Sequence, residues 1–442
     1  MVFPGLRQLF VTVFLYYSAM FMVVPAITDV TMSALCPGMD ECSIAIYLSG
    51  FQQVIIGLGT LVMMPIVGNL SDEYGRKTLL TLPMTLTIIP LVILAYSRTK
   101  YFFYVYYVLR ILTSMLCEGS VQCLSLAYVA DNIPEGQRAS AFGILSGIVS
   151  TAFVCGTLTA RFLSTALTFQ VSATVAVLAA LYMKLFLKDS ISGIDTASMR
   201  TISKKTNNVV HFDGDSSRKI QLFRRIPSVD EIFYLLRISP AFSQAAVVAF
   251  FNNFSEGALH SSLLFFLKAR FHFSKDQFAD LLLIAGFAGA ISQLVLMPIL
   301  APFLGEEKLL IIGLFAGCTH MFLYAVAWSS WVPYVASMFS ILVVFAPPCI
   351  RSIASKQVGP SEQGKAQGCL SGICSFANIV SPLAFTPLTA LFLSENAPFH
   401  FPGFSIMCIG FSLLIACIQS TMIRATPPIS SHKTTTSNCV EA

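Results

Sequence analysis

The 442-residue chain is 55% hydrophobic and only 11% charged, with a mean hydropathy of +0.75 and a formal net charge of +5. Soluble domains carry roughly 25% charged residues, so this balance excludes a soluble globular protein and points to a chain embedded in a bilayer. The apolar stretches run to about 20 residues, the length of a spanning helix, and lack the short alternation of a membrane barrel.

Apolar windows between polar breaks give twelve expected spans, near 9–27, 44–67, 78–96, 101–128, 141–163, 167–187, 241–267, 278–303, 309–328, 331–350, 366–393 and 403–423. The first has no small-residue cleavage pattern after it and is longer than a signal-peptide core, so it is expected to be retained. An even number of spans puts both termini on one side. Lysine and arginine number five in the odd-side short loops and nineteen in the termini and alternate loops. The positive-inside rule therefore places both termini in the cytosol, in a plasma, vacuolar or other internal membrane. Discounting the nine basic residues of the long central segment leaves the same direction.

That segment, 188–240, is the one long polar stretch. It divides the chain into an N-terminal six-helix half (1–187) and a C-terminal half (241–423), with a tail at 424–442. Its first part has the composition of a disordered linker. Ser228 and Glu231 have the spacing of a capping box, and Arg224 and Arg225 would sit at the lipid headgroups. The twelve cysteines are scattered singly and read as small buried hydrophobes. Only Cys36 and Cys42 share a polar loop, on the non-cytosolic side, where a disulfide stays open.

The halves repeat one another. Gly143-Ile144-Leu145-Ser146-Gly147 recurs as Gly368-Cys369-Leu370-Ser371-Gly372 at an offset of 225, and the loop at Leu70–Leu80 aligns with Leu300–Leu310 at an offset of 230. The second copy looks worn: Gly75 maps onto Gly305, but Asp72 becomes Pro302 and Arg76 becomes Glu306. Duplicated halves with a path between them are a transporter architecture.

Between the second and third spans stands Gly68-Asn69-Leu70-Ser71-Asp72-Glu73-Tyr74-Gly75-Arg76-Lys77, a charged turn that fits G-x-L-x-D-x-x-G-R-K at every position. It resembles the signature of major facilitator superfamily transporters at that place. Ala127 to Gly143, Ser355 to Gly368 and Ile379 to Thr386 are similar to the tetracycline/proton antiporter branch and its hippocampus-abundant-transcript-like relatives; Val24 to Asp29 suggests a plant member. The resemblance covers nearly the whole chain except the linker and tail.

It implies an all-α membrane protein of twelve helices in two six-helix halves. It also implies that Asp72 caps the cytosolic start of helix eleven near Gly364 and Gly368, and that Arg76 pairs with Asp131 at the end of helix four. A carboxylate is favoured at the positive end of a helix, which makes such a cap physically sensible. With Gly68, Gly75, Lys77 and Arg138, these residues form the expected gating group. The departures weaken antiport: Gly156 is followed by Thr157 where proline is expected, Arg161 stands where glycine is expected, and the first helix offers Tyr16 and Tyr17 in place of an acid.

Ionisable residues in mid-span are costly and therefore mark function. Arg110 and Glu118 qualify in the fourth span, with Gln122 further along at helical spacing. In the seventh, Asn252, Asn253, Glu256 and His260 are spaced to share a face. Arg110 and Glu256 lie at similar depth, and the resemblance implies that helices four and seven line the central cavity from opposite halves, so the two are expected to face one another across the substrate path, with Gln52 a lighter candidate and Glu256 and Glu118 the proton carriers. The alternative for Arg110 and Glu118 is a buried pair that joins helices.

No phosphate-binding loop, nucleophile set or metal cluster is legible, which argues against an enzyme or ATP use. The expected function is secondary active transport of a small organic solute by alternating access, proton-coupled, by a monomer that uses no cofactor and binds no nucleic acid. The alternative is a transporter-shaped sorting receptor or scaffold.

Overall fold

The computed structural model describes residues 6–35, 43–188, 236–237, 239–273, 275–393 and 397–423. The Cys36 and Cys42 loop, the Arg224-Arg225 pair, the capping box at Ser228 and the C-terminal tail lie outside these residues. The described chain is all-helical, with no strand among its residues, and forms twelve helical runs. In order they are Arg7–Leu35, Ser43–Tyr74, Arg76–Leu86 with Ile88–Tyr96, Lys100–Cys117 with Ser120–Asn132, Arg138–Phe162, and Thr165–Phe186. After the linker come Pro240–Phe271, then Lys275–Ile291 continuing to Leu304, Glu306–Ala325, a segmented run over 332–355, Gln363–Leu393 and Phe404–Thr421. They are called helices one to twelve below.

Ten of the runs are long and apolar enough to cross a membrane. The two outside that set, helices four and seven, are the ones that carry Arg110, Glu118 and Glu256. Each polar group lowers mean hydropathy at the place where it is wanted, so length and composition under-report these helices.

Helix four does not run straight through 101–128 as expected. It breaks at Glu118, whose backbone is extended, and Gly119, which takes φ 79°, a left-handed conformation that suits glycine. Helix eight contains a single π-turn at Ser292–Leu296, a distortion common at functional sites. Helix ten is built from Val332–Met338, Ser340–Val343 and Ala346–Ser355, and so continues five residues past the expected end at 350.

Buried apolar residues of 239–423 gather in one cluster that admits only Ala139 from the other part of the chain, while residues 6–187 hold two clusters of their own. Helix two packs on helix eleven, and helix five on helix eight, joining these bodies. Gly364, Gly368 and Gly372 recur every four residues on the face that helix eleven turns to helix two. In lipid, helices gain little from hydrophobic burial and associate by close van der Waals contact, so small residues at the crossing are the expected device.

Candidate functional site

The turn at Gly68–Lys77 closes one end of the crossing between helices two and eleven. The Asp72 carboxylate accepts from the backbone N–H of Gly364 at 2.9 Å and of Lys365 at 2.8 Å. These are free donors of the first turn of helix eleven, and their partial positive charge favours an anion. The Arg76 guanidinium donates to Asp131 through Nε at 2.9 Å, forms an ion pair with Asp72, and donates through Nη1 to the Ser71 hydroxyl. Arg76 is 3% exposed, so a buried charge is matched on two sides. Gly75 turns the chain between helices two and three at φ 91°. Lys77 is half-buried, and its carbonyl accepts from the Thr81 hydroxyl.

A second tie crosses beside the first. Arg138, at the start of helix five, donates through Nη1 to the Ser355 carbonyl at 3.1 Å and hydroxyl at 3.2 Å, at the end of helix ten. Its Nε donates to the Ile133 carbonyl at 3.3 Å. The repeat offset carries Arg138 onto Gln363, and Gln363 Nε2 donates to the Val358 carbonyl at 3.3 Å, the counterpart of Ile133.

The same offsets change the meaning of the worn loop. Arg76 maps onto Glu306 and Asp131 onto Lys356, and Glu306 forms an ion pair with Lys356 while accepting from the Ser352 hydroxyl. The bond between helix three and the end of helix four thus recurs between helix nine and the end of helix ten with its polarity reversed. What is lost in the second copy is the helix cap, because Pro302 replaces Asp72. Reversing the second pair again tests this. Glu306→Lys alone should lower the unfolding midpoint of the detergent-solubilised protein, and adding Lys356→Glu should restore most of it. A double-mutant coupling of about 1 kcal/mol is expected, modest because the Lys356 side chain is 31% exposed. Coupling indistinguishable from zero would remove the pair from the fold's accounting.

Above this closed end lies a cavity of about 550 Å³ lined by helices from both parts of the chain. Glu118, Asn253 and Glu256 line it, together with Gln122. Gln52, Arg110, Asn252 and His260 do not. Asn252 is buried at 7% exposure, and His260 stands one turn beyond Glu256, within its electrostatic reach.

Arg110 and Glu256 are not brought together as expected. Arg110 has Tyr106, Glu118 and Tyr16 of helix one as its electrostatic neighbours, and it stands on the part of helix four before the break. In helix two it is Gln53, next to the expected Gln52, that reaches the cavity. The cavity's guanidinium is Arg351, from the last segment of helix ten. Sequence reading missed it by ending that helix at 350. Gln293 at the π-turn and Asn378 in helix eleven were also missed, although single amides in apolar runs are the signal that exposed Gln53's neighbour. Gln293 accepts from the Ser150 hydroxyl at 3.1 Å and donates to the Val344 carbonyl at 3.2 Å, fastening helices five, eight and ten.

Late in helix five the helix runs unbroken through Thr157, whose hydroxyl donates to the Phe153 carbonyl at 2.8 Å. A side chain at Gly156 would come within 2.8 Å of the Ser18 carbonyl, so this glycine serves close packing on helix one.

Residues 9–382 match the family model described as Major Facilitator Superfamily. The human "Hippocampus abundant transcript-like protein 1" is 22% identical over 358 residues, which take in 79% of this chain and 66% of that relative. "Multidrug resistance protein 1" of Bacillus subtilis (strain 168) is 24% identical over 391 residues, 86% of this chain and 89% of that protein. Among solved structures, the human organic anion transporter MFSD10 (TETRAN) superposes with a TM-score of 0.72 at 17% identity, covering 94% of this chain and 98% of the other. A double-tryptophan mutant of XylE gives 0.68 at 18% identity, with 95% of each chain covered.

Proposed function

We propose that this chain, which belongs to the major facilitator superfamily, moves a small organic solute across its membrane by alternating access, coupled to protons. Family membership and the ten candidate membrane helices support an integral multi-pass membrane protein, and the family's transporters support transport as its activity. The observation that carries the finer reading is the cavity between two sets of helices, lined by charged and amide side chains among aliphatic ones and shut at one end by contacts that are all noncovalent. Parting Asp72 from Gly364, and Arg138 from Ser355, would open that end, and the helices around the cavity would then close elsewhere. On the positive-inside count the shut end and both termini face the cytosol, and the units are the halves 1–187 and 241–423, joined by 188–240 and followed by the tail 424–442. The names of the relatives, multidrug resistance protein and organic anion transporter, support a small organic solute.

Glu118 is the residue best placed to carry the proton. It sits at the break in helix four, lines the cavity and has Arg110 as its charged neighbour, so its charge state bears on the helix it terminates. A scaffold that no longer transports is the weaker reading, since the altered second loop that favoured it retains its ion pair in reversed form.

The test is flux in proteoliposomes. An imposed pH gradient should drive uptake or efflux of a solute from a broad organic panel, and Glu118→Gln should cut gradient-driven flux at least tenfold, about 1.4 kcal/mol, while exchange at equal pH persists. Gradient-driven flux unchanged in Glu118→Gln removes that residue from coupling. No flux of any solute in either mode removes transport.

A further inference from the structure

We propose that the solute is a hydrophilic zwitterion of the amino-acid type, its carboxylate held by Arg351 and its ammonium by Glu256. This rests on the transport reading and deepens it. Arg351 is pinned from behind: Nη1 donates to Gln367 Oε1 at 3.0 Å and to the Ser371 hydroxyl at 3.3 Å, and its own carbonyl accepts from Gln367 at 3.4 Å. The Nε and Nη2 edge makes no hydrogen bond to any described residue, and the side chain lines the cavity. That edge is the one a guanidinium offers to a carboxylate in a two-point bond, and a pinned fork loses little freedom on binding.

The cavity's carboxylates are held away from this cation. Neither Glu118 nor Glu256 forms an ion pair with Arg351, or with any other basic group among the described residues. Cys374, one turn beyond Ser371, lies in the electrostatic field of both Arg351 and Glu256, which puts the two opposite charges around one stretch of helix eleven. Charges of both signs kept apart inside a membrane are expensive. A ligand that carries both signs gives Arg351 and Glu256 a counter-charge each, whereas a plain anion meets two carboxylates, a plain cation meets Arg351, and a sugar leaves Arg351 and Glu256 without an ion-pair partner.

The rest of the lining agrees. It sets the amides Gln53, Gln122, Asn253, Gln293 and Asn378 beside aliphatic side chains such as Ile350 and Leu370, with no aromatic side chain among the described residues, so it offers hydrogen bonds and room for an aliphatic portion but no stacking surface for a flat drug.

The purified full-length protein should be tested with L-glutamine and γ-aminobutyrate as probes, by the shift each produces in its unfolding midpoint. L-glutamine methyl ester, which lacks the carboxylate, and N-acetyl-L-glutamine, which lacks the ammonium, are the matched controls, with citrate and tetraethylammonium as a plain anion and cation. We expect the zwitterions to raise the midpoint and the edited forms to do so at least tenfold more weakly in concentration. Arg351→Lys keeps the charge without the fork and should weaken the zwitterion at least tenfold, as should Glu256→Gln. Equal binding of the ester, preference for citrate or tetraethylammonium, or no shift with any zwitterion overturns the proposal. Counterflow in liposomes separates the two readings. Movement of citrate or tetraethylammonium alone leaves transport standing and this substrate class refuted, while zwitterions that bind and are never moved support the site and refute transport.

Discussion

Leucine at Gly364 should hold the shut end of the cavity apart and lower transport turnover by at least tenfold, with insertion into the membrane unchanged. A Cβ at this position would overlap the Gly68 carbonyl oxygen and crowd both the Arg76 guanidinium and the Ser71 hydroxyl. The first of these is backbone, which cannot rotate away. The neighbouring positions are equally tight: a Cβ on Gly368 would lie 2.7 Å from the Met64 carbonyl and 3.0 Å from Gly68 Cα. Overpacking of this kind costs about 1–3 kcal/mol. Because the strain falls between the two bodies and not within either, it is relieved by opening, so the conformational equilibrium shifts while each body stays folded. A shift of about 1.4 kcal/mol changes the ratio of states tenfold. The readout is maleimide labelling of Cys123, fully buried near Asp72, Arg76 and Ser371, in a background where the other cysteines are replaced. Its labelling rate should rise with Gly364→Leu and stay low with Gly136→Leu, a glycine that nothing approaches within 4 Å. Equal labelling in both variants would mean that the glycine crossing does not set the closed state.

This crossing was the most legible part of the molecule, for a physical reason. A charged turn between two apolar runs has few places to go, and a carboxylate near a helix start has one favourable partner, the free N–H groups of its first turn. Asp72, Arg76 and Asp131 could be named from the motif of the turn and the family it resembles, and these preferences make that pairing sensible. The cavity was harder to read. Helix two is apolar on nearly every side, so periodicity does not fix its rotation, and an error of one residue separates Gln52 from Gln53. The face shown by Arg110 depends on the break at Glu118 and Gly119, which hydropathy does not register. Arg351 was lost to a helix end placed five residues early, because a basic residue at the edge of an apolar run looks like the start of a loop. The reversed ion pair was invisible to a comparison of loops alone, since Glu306 makes sense only when Lys356 is set against Asp131 as well.

That network gives the second large effect. Arg76→Gln should be the most damaging neutral substitution at the shut end, and the damage should come from what it leaves behind. With the guanidinium gone, Asp72 and Asp131 lose the cation that stands between them; their side chains are only 8% and 14% exposed. Removing one partner of a buried pair costs about 3–5 kcal/mol, because the remaining charge has lost both water and counter-ion. Opening this end to water offsets that cost, so turnover should fall at least tenfold and Cys123 should label faster. Asp72→Asn is a gentler change. It weakens the cap on helix eleven, worth about 0.5–2 kcal/mol, but leaves Arg76 bonded to Asp131, so it should slow turnover without disturbing insertion. The decisive variant is Arg76→Gln with Asp131→Asn. If the three groups act as one network, removing the second charge relieves the first defect, and the double variant should label more slowly and turn over faster than Arg76→Gln alone. A double variant as impaired as the sum of the two single changes would show that Arg76 and Asp131 act independently, and that the shut end is held by the Asp72 cap and the glycine crossing without them.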